Sequence, residues 1–312
     1  MVSRVACSGV LILDVLGRPF DAIPTAQNST FIDEITASVG GTGGITAAAL
    51  ARLGVPTSVG GAVGDDTLGE ILLARLASFG VDVSAVAKLD GVATSASILP
   101  IRTNGERPAL HVPGASLAVT RETLEAPVGN DVRWFHFAGA LRMPKVDGGP
   151  AAEMLKALRA RGTVTSSDVL GTRTPNSGQL LEQVLPHLDY FMPNLAEGQV
   201  ITGEQTPERV ADVLVTRGVG CIVLKLGEDG CLVRTADVEF RVPAAPAKVI
   251  DTTGCGDSFS AGFIAARMEG LDLETAARWG SATAGLVIER LGGDSAPITR
   301  ELVQERLVAL TL

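Results

Sequence analysis

The residues best suited to chemistry lie in one segment near the C-terminus, DTTGCGDSF, at positions 251–259. Gly254 and Gly256 flank a small residue, so the backbone can approach a ligand without obstruction by a Cβ atom. The segment opens a predicted helix, whose first amides lack intrahelical partners and lie at the positive end of the helix dipole. Asp257 stands in the first turn. The residues alone indicate either a phosphate-binding site beside an acid or an ordinary helix cap after a glycine turn.

Further candidate residues stand directly after predicted strands, where open α/β sheets bind their ligands. A single residue of this kind carries little weight, because polar residues commonly begin loops. Several together indicate a shared crevice at one edge of a sheet. These residues are Asp14, Asp168, Asn194, Gly227 and Asp251.

Two common nucleotide-binding motifs do not occur in the sequence. The Walker A pattern GxxxxGK[ST] is found nowhere. The GGTGG segment at 40–44 does not complete a GxGxxG fingerprint, because Thr46 stands where the third glycine belongs. A nicotinamide-dependent dehydrogenase therefore lacks its main sequence support.

The elements that must position these residues alternate between strand-like and helix-like segments. Residues 5–13 form an almost continuous apolar run, which is typical of a strand buried on both faces. Residues 66–79 have the spacing of an amphipathic helix, and Gly80 follows as a stop. This alternation predicts an α/β fold with a doubly wound, mostly parallel sheet flanked by helices.

One region departs from the alternation. Two extended runs, residues 93–102 and 107–112, flank Asn104 and Gly105, a strong signal for a hairpin. Together with residues 17–35 they predict a small β-lid inserted in the core. We therefore divide the chain into a core of residues 1–14, 36–92 and 113–312 and a discontinuous lid of residues 15–35 and 93–112.

Composition excludes several classes of protein. The 312 residues are 46% hydrophobic and 20% charged, which excludes a disordered chain, a coiled coil and a fibre. A net charge of −9 with 4% aromatic residues argues against nucleic acid or an anionic membrane as a partner. The four cysteines show no CxxC spacing, so we expect buried thiols in a reducing cytosol and no zinc site. Because no apolar stretch approaches about 18 residues, we expect a cytoplasmic protein.

The same segments resemble the signatures of the ribokinase-like (PfkB-type) carbohydrate kinases. DTTGCGDSF resembles the C-terminal signature of that family, and GGTGGITAAALARLG at 40–54 resembles its first signature. Residues 59–84 and PNLAE at 193–197 also resemble the family, in the family's order. The resemblance implies the ribokinase-like fold and an ATP-dependent kinase that works with Mg²⁺.

For catalysis, the resemblance implies that Asp257 is the general base, which takes the proton from the attacking hydroxyl group. The amides of Gly254, Cys255 and Gly256 would stabilise the charge on the transferring γ-phosphate. We expect the Asp257 carboxylate to stay ionised at neutral pH, because it lies at a helix N-terminus. Cys255 stands where alanine is common, and we expect a small packing residue rather than a reactive thiol.

On the ATP side, the resemblance implies that Asn194 and Glu197 lie near Mg²⁺ and the ATP phosphates, with Glu197 acting through the phosphates or water. Gly227 and Gly230 match the family's GxxG turn, and a simple hairpin turn explains them equally well. Lys225 precedes that turn, and strand alternation leaves its direction open. Thr252 completes this predicted set.

The resemblance also implies a monovalent-cation site, as in potassium-activated members of the family. Asp251 and Thr253 would contribute to it, together with backbone near Val287, Arg290 and Gly292.

On the sugar side, Asp14 and Gly41 match substrate-contacting positions, and a carboxylate can accept two hydroxyl hydrogen bonds. The other candidates are Thr42, Ile45, Arg107, His111 and Asp168. Ile45 departs from the family, which usually carries asparagine there. We therefore expect position 45 to alter the choice of sugar: either Thr42 or Thr46 replaces the lost amide, or the substrate lacks the hydroxyl group that the amide would bind.

Three functions compete at this point. The first is phosphorylation of a hydroxyl group of a small sugar or sugar acid. The second is a nucleoside kinase of the same fold, which would need aromatic partners for the base, and Phe20, Phe31 and Trp134 are the candidates. The third is a non-catalytic sugar or nucleotide sensor, which the intact Asp257 argues against. We also expect a homodimer formed through the lid.

Overall fold

The structure, a computed structural model, describes residues 4–104, 106–172 and 175–309. Gly105 of the predicted hairpin turn lies outside the described residues, as do residues 1–3 and 310–312 of the predicted core. Within the described ranges, no helix has the length and apolar character needed to cross a membrane.

Strands and helices alternate along most of the chain. The strands are β1 (Arg4–Gly9), β2 (Ile12–Arg18), β3 (Glu34–Gly40), β4 (Thr57–Gly60), β5 (Ala62–Gly64), β6 (Ala87–Leu89), β7 (Ala96–Pro100), β8 (Leu110–Val112), β9 (Val132–Ala140), β10 (Val164–Val169), β11 (Tyr190–Phe191), β12 (Cys221–Lys225), β13 (Cys231–Arg234) and β14 (Glu239–Val242). The helices are α1 (Thr42–Arg52), α2 (Thr67–Ser78), α3 (Arg121–Glu125), α4 (Gly149–Ala160), α5 (Ser177–Val184), α6 (Leu195–Thr202), α7 (Pro207–Thr216), α8 (Cys255–Met268), α9 (Leu273–Val287) and α10 (Arg300–Ala309).

A larger, mostly parallel sheet forms the centre, with strand order β14-β13-β12-β11-β10-β9-β1-β4. The strands from β4 to β12 in this order pair in parallel, and β13 and β14 add an antiparallel edge. The prediction of a doubly wound α/β fold is confirmed. Because the strands are parallel, their carboxyl ends meet at one edge, where the candidate residues gather.

Apolar side chains cover both faces of the larger sheet. Val5 and Cys7 of β1 pack with residues of α1, α2, α8 and α9, whereas Ala6 between them packs with residues of α4, α5 and α7. Successive residues of a strand point to opposite faces, so this division places one helical layer on each side. The helix α8, which carries Asp257, packs against α1 and α9.

A smaller sheet with strand order β3-β2-β7-β8 lies apart from the larger one. Its strands come from the segments predicted to form the lid, and β7 pairs with β8 across the predicted hairpin. Strands β2 and β3 also extend past the predicted limits at residues 14 and 36. The division of the chain into lid and core stays a prediction.

The apolar run at residues 5–13 is not one strand, as the sequence pattern predicted. It contains β1 from its second residue onward and the start of β2, and these two strands belong to different sheets. Val10 and Leu11, which join them, are buried like their neighbours. Because the run is buried throughout, its hydrophobicity carries no sign of the change from one sheet to the other.

Candidate active site

The start of α8 carries the most informative segment of the sequence. Gly254 is its N-cap residue, with a φ of 71°, a left-handed conformation that favours glycine. The amide of Cys255 donates to the carbonyl of Thr252 over 3.3 Å. Among the described residues, no backbone carbonyl accepts from the amides of Gly256 or Asp257. These two amides and that of Gly254, which also has no acceptor among the described residues, are therefore available to an anionic ligand, whereas that of Cys255 is used within the turn.

The first glycine-rich signature packs directly behind this turn. Ile45 is buried, and a Cβ atom placed on Gly254 would lie 3.0 Å from its Cγ2 atom. A Cβ atom on Gly293 would lie 2.9 Å from Ile45 Cδ1. The Thr46 hydroxyl donates to the backbone carbonyl of Asp257 over 3.3 Å. Position 45 therefore supports the turn before α8, and its predicted contact with the sugar stays a prediction.

Asp257 is surrounded by other charged side chains. Burial and the nearby carboxylates of Asp168, Glu197 and Asp14 raise the pKa of Asp257, the Lys225 ammonium group lowers it, and the net result is a pKa of about 7. Asp257 is therefore only partly ionised at neutral pH, whereas the sequence led us to expect a carboxylate that stays ionised. The position of the residue at a helix N-terminus favours the anion, but burial among other acids outweighs that effect.

Lys225 points toward the start of α8, which the strand pattern could not decide. Its Nζ atom donates to the carbonyl of Gly256 over 3.4 Å. Its backbone pairs with Asn194 beside the carboxyl ends of β11 and β12. Lys225 therefore brings one positive charge to the cluster of carboxylates around Asp257.

Asn194 and Glu197 form a capping box at the start of α6. Asn194 Oδ1 accepts from the Glu197 amide over 2.9 Å, and Glu197 Oε2 accepts from the Asn194 amide over 2.9 Å. Glu197 Oε1 also accepts from the amide of Gly171 over 3.2 Å. Burial raises the pKa of Glu197, and the nearby Lys225 lowers it. The pair thus has a structural role, whether or not it also contacts a nucleotide.

The described residues suit a Mg²⁺ ion that arrives with its nucleotide. They contain no group of three or more His, Cys, Asp or Glu side chains arranged around a metal position. Each Glu197 oxygen accepts one amide hydrogen bond, which leaves lone pairs for a water or a metal ion. Mg²⁺ usually keeps several waters and takes one or two carboxylates together with substrate phosphates. Glu197 fits that pattern.

The smaller sheet presents a row of polar side chains. The strand register places Ser38, Asp14, Ser97 and His111 side by side, on neighbouring strands and on one face. His111 Nδ1 lies 3.1 Å from Ser97 Oγ. Burial raises the pKa of Asp14. The sequence analysis found Asp14 and His111 but missed Ser38 and Ser97, because the register that aligns them has no signature in the sequence.

Asp168 is only 1% exposed and lies behind this crevice. Its Oδ1 atom accepts from the amide of Gly139 over 2.6 Å. Thr42 is also buried, and a Cβ atom on Gly139 would lie 2.7 Å from its hydroxyl oxygen. Gly41 has a φ of 74°, and a Cβ atom there would lie 2.5 Å from the carbonyl oxygen of Val10. Gly41 is therefore needed for close packing, and the substrate contacts predicted for these residues stay predictions.

Asp251 accepts hydrogen bonds from several donors. One carboxylate oxygen accepts from the amide and the hydroxyl of Thr253, over 2.9 Å and 2.7 Å, and also from the Arg107 guanidinium. The other oxygen accepts from the amide of Gly292 over 2.8 Å. Arg107, predicted on the sugar side, therefore pairs with a residue predicted to face a monovalent cation.

The other residues predicted for the cation site form the end of α9. Val287 is buried, and its carbonyl accepts from the amide of Arg290 over 3.1 Å. The neighbouring carbonyl of Ile288 accepts from the amides of Ile250 and Asp251, over 2.7 Å and 3.2 Å. The α9 end is thus tied to the segment before α8, and the cation site stays a prediction.

A cleft of about 590 Å³ adjoins the start of α8. Gly227, Gly230, Thr252 and Cys255, all predicted site residues, line it. Burial raises the pKa of the Cys255 thiol, in agreement with a packing role. A cleft of this size, with small and apolar walls, suits a nucleotide. Lining residues that the sequence analysis missed are Glu228, Ala244, Ala245, Pro246, Ala247, Val249, Phe259, Ser281, Ala284, Gly285 and Ile288.

The fold and the site together define an α/β enzyme suited to phosphoryl transfer. The chain belongs to the pfkB family of carbohydrate kinases, whose family model matches residues 5–300. The resemblance that the sequence motifs indicated is confirmed.

Known proteins similar to this chain agree with that assignment. The 2-dehydro-3-deoxygluconokinase of Bacillus subtilis is 31% identical over 84% of each chain. The structure of Arabidopsis thaliana ribokinase complexed with ribose and ATP is 24% identical, covers 98% of this chain and 99% of its own, and superposes with a TM-score of 0.84. A candidate ribokinase II from E. coli, in complex with ATP and Mg²⁺, is also 24% identical with the same coverage and a TM-score of 0.85.

Proposed function

We propose that this kinase transfers the γ-phosphoryl group of ATP to a hydroxyl group of a small sugar or sugar acid, with Asp257 as the general base. The placement of Asp257 supports the proposal most strongly. It follows Thr252 and Cys255, which line the nucleotide-sized cleft, and it lies close enough to Asp14 of the smaller sheet for that carboxylate to raise its pKa. A base in this position has nucleotide on one side and a polar, hydroxyl-binding surface on the other.

Asp257 and the groups around it have different roles in the proposed reaction. With a pKa of about 7, Asp257 is poised to accept a proton from the substrate hydroxyl group near neutral pH. The amides of Gly256 and Asp257 would stabilise charge on the transferring group, and one such donor typically contributes roughly 2.7–4 kcal/mol. Lys225 adds a positive charge beside Gly256. Bound Mg²⁺, held by phosphates and by Glu197 directly or through water, would supply further charge neutralisation.

The substrate class is argued from the polar row of the smaller sheet. Asp14, Ser97 and His111 offer acceptors and donors at neighbouring positions, which suits a polyol. The Bacillus subtilis relative carries the name of a sugar-acid kinase, and that supports sugar acids as candidates. A nucleoside is the second choice, because Trp134, one of the three aromatic candidates, is buried and stacks on Tyr190, which leaves only Phe20 and Phe31 to stack on a base.

A coupled assay of ADP release over a panel of sugars, sugar acids and nucleosides separates these functions. We expect turnover with a sugar or a sugar acid. Turnover with nucleosides alone would support the nucleoside kinase instead. Binding of ATP and a sugar without any turnover would support the non-catalytic sensor.

Asp257→Asn tests the role of the general base. We expect loss of turnover with ATP affinity near that of the wild type, because the amide cannot accept the proton but keeps the shape of the carboxylate. Steady-state kinetics and calorimetric titration with ATP measure the two effects. Asp272→Asn, at the N-cap of α9, is the matched control and should keep full activity. Retention of more than about a tenth of kcat in Asp257→Asn would exclude Asp257 as the base.

We further propose that Arg107 supplies the positive charge that Asp251 faces, in place of a bound potassium ion, because its guanidinium pairs with that carboxylate. A homodimer through the smaller sheet and a cytoplasmic location are the remaining proposals. Exposed apolar residues on the smaller sheet support the first, and four free cysteines support the second.

A further inference from the structure

A chain of buried polar groups runs through the larger sheet behind Asp257. Trp134 Nε1 donates to Ser166 Oγ over 2.7 Å, and Ser166 Oγ lies 2.8 Å from His136 Nδ1. His136 Nε2 lies 3.6 Å from Asp168 Oδ2. His136 and Ser166 have no measurable exposure, and Trp134 and Asp168 are almost as deeply buried. The role proposed for Asp257 leaves three of these side chains without a function.

The donors and acceptors among these buried side chains determine which atom carries each proton. An indole N–H can only donate, so Ser166 Oγ accepts from Trp134 and its own proton is free to point at His136 Nδ1. A neutral imidazole that accepts at Nδ1 carries its proton on Nε2. This Nε2–H faces Asp168 Oδ2, and neither atom has a hydrogen-bond partner among the described residues. A small rotation of the carboxylate would close the 3.6 Å gap to hydrogen-bond length.

Helix α1 connects Asp168 to Asp257. The other Asp168 oxygen accepts from the amide of Gly139, which packs against Thr42 of α1. Thr46, one turn further along the same face of α1, donates to the carbonyl of Asp257. The Asp257 backbone and the Gly139 segment that binds Asp168 therefore contact one face of α1, and the charge of Asp168 raises the pKa of Asp257 more than that of any other side chain.

We propose that His136 is a positioning residue for phosphoryl transfer, whose Nε2–H holds the Asp168 carboxylate in its orientation beside Asp257. The negative charge held in this way keeps Asp257 a strong enough base to accept a proton near neutral pH. This inference rests on the proposed role of Asp257 as general base. No proton or electron leaves the buried chain in the reaction, because His136 acts by keeping one charge in place.

Other titratable groups lie near His136, Asp168 and Asp257, and a test of the proposal must leave them unmutated. Asp14, Glu197 and Lys225 act on Asp257. Cys7 lies opposite His136 across β1 and β9, and burial raises the pKa of its thiol, so it stays neutral. Cys255 next to Asp257 also has a raised pKa. None of these residues is altered in the variants below.

The pH dependence of kcat/KM tests the proposal. The acidic limb of the profile reports deprotonation of Asp257 in the free enzyme. In His136→Leu the Asp168 carboxylate loses the donor that orients it toward Asp257, so its charge acts less on Asp257 and we expect the limb to move to lower pH by about 1 pH unit. Asp168→Asn should give the same shift, and the double variant should move no further than Asp168→Asn alone. His136→Gln, which keeps an amide donor, should restore the wild-type profile.

Other outcomes would overturn the proposal. A shift to higher pH in His136→Leu would mean that His136 is a cation. A shift that persists in the Asp168→Asn background would mean that His136 does not act through Asp168. His187→Leu, at a position remote from Asp257, is the control and should leave the profile unchanged.

Nitrogen NMR of the histidine rings in the wild-type enzyme provides a test that needs neither activity nor a folded variant. The chain has three histidines. We expect the His136 ring to show the neutral tautomer with its proton on Nε2 at neutral pH. A ring with its proton on Nδ1, or with both nitrogens protonated, would refute the assignment. Because this readout is independent of turnover, it separates failure of this inference from failure of Asp257 as the base.

Discussion

At the scale of single residues, the protonation of Asp257 depends on a balance between like and opposite charges. Asp168, Glu197 and Asp14 raise its pKa and Lys225 lowers it, on top of the effect of burial. A carboxylic acid with a pKa of about 7 loses its proton as the pH rises through neutrality. Because the reaction needs the deprotonated form, kcat/KM should rise with pH through that range.

Lys225→Met tests how much the positive charge of Lys225 contributes to this balance. Removal of the ammonium group takes away a charge that favours the Asp257 anion, so we expect the acidic limb to move to higher pH by about 1 pH unit. The profile of kcat/KM against pH measures the shift independently of any loss in maximal rate. Lys248→Met, outside the group of charges that act on Asp257, is the control. An unchanged limb in Lys225→Met would show that the ammonium group does not act on the base.

Alanine substitutions at Gly254 and Gly270 separate the effect of backbone conformation from the effect of contacts made by the added Cβ atom. Both have positive φ, 71° and 80°, but a Cβ atom on Gly254 would meet Ile45 and Gly293, whereas one on Gly270 meets nothing within 4 Å. We expect Gly270→Ala to cost about 1 kcal/mol in the free energy of unfolding and to keep kcat. Gly254→Ala should lower kcat about 100-fold or more, because it displaces the turn that holds two anion-binding amides.

Thermal unfolding and steady-state kinetics of the two variants, compared side by side, decide the matter. Equal loss of kcat in Gly254→Ala and Gly270→Ala would show that backbone strain alone, and not the contact with Ile45, explains the effect.

At the scale of elements, the loop between β7 and β8 is tied to the segment before α8 by the pair of Arg107 and Asp251. Asp251 also holds the turn at Thr253 and the loop at Gly292, so one carboxylate connects three segments around the site. The guanidinium already supplies positive charge at this carboxylate. A displacement of the loop would therefore change the contacts of Asp251, which precedes α8.

Arg107→Gln tests whether the guanidinium replaces a monovalent cation. We expect the wild-type enzyme to turn over equally in potassium and tetramethylammonium buffers, since Asp251 is already neutralised. The variant should be slower and should recover part of its rate with potassium, because the carboxylate then lacks a cation. Arg102→Gln, which breaks the pair with Glu106 in the same loop, is the control. A wild-type enzyme that needs potassium would contradict the proposal.

The sequence predicted the larger elements of the fold well, for a physical reason. Helix α2 has a clear apolar period, and the predicted helix is confirmed, with Asp66 as its N-cap residue. Glycine-rich turns and their helices are local features that a sequence displays directly. The division between β1 and β2 was missed because both strands are buried and the residues that join them are equally apolar.

The parts of the site that the sequence could not predict depend on contacts between distant segments. Lys225 could have pointed to either face of its strand, and its contact with Gly256 comes from α8. The partner of Arg107 lies 144 positions away in the sequence. The raised pKa of Asp257 arises from burial and from carboxylates on three other elements, and no spacing in the sequence brings those together.

At the scale of the whole molecule, the smaller sheet has two unlike faces. One face carries the polar row of Asp14, Ser97 and His111, and the other carries Val15, Ile98 and Leu110, which the register aligns. Ile98 is 57% exposed and Leu110 is 62% exposed. A contiguous apolar surface on an acidic protein is costly to leave in water, and a second copy of the same surface can cover it by two-fold symmetry.

Ile98→Glu tests the dimer that this surface predicts. A carboxylate at its centre would be buried without a partner in the dimer but stays solvated in the monomer, so we expect the variant to sediment as a monomer and the wild type as a dimer. Because Ile98 is already more than half exposed, the melting temperature should change little once the loss of the dimer is allowed for. Val200→Glu, at a position of α6 with a similar exposure of 59%, is the matched control and should remain dimeric. A wild-type enzyme that is monomeric at all concentrations, or an Ile98→Glu variant that dimerises like the wild type, would exclude this face as the interface.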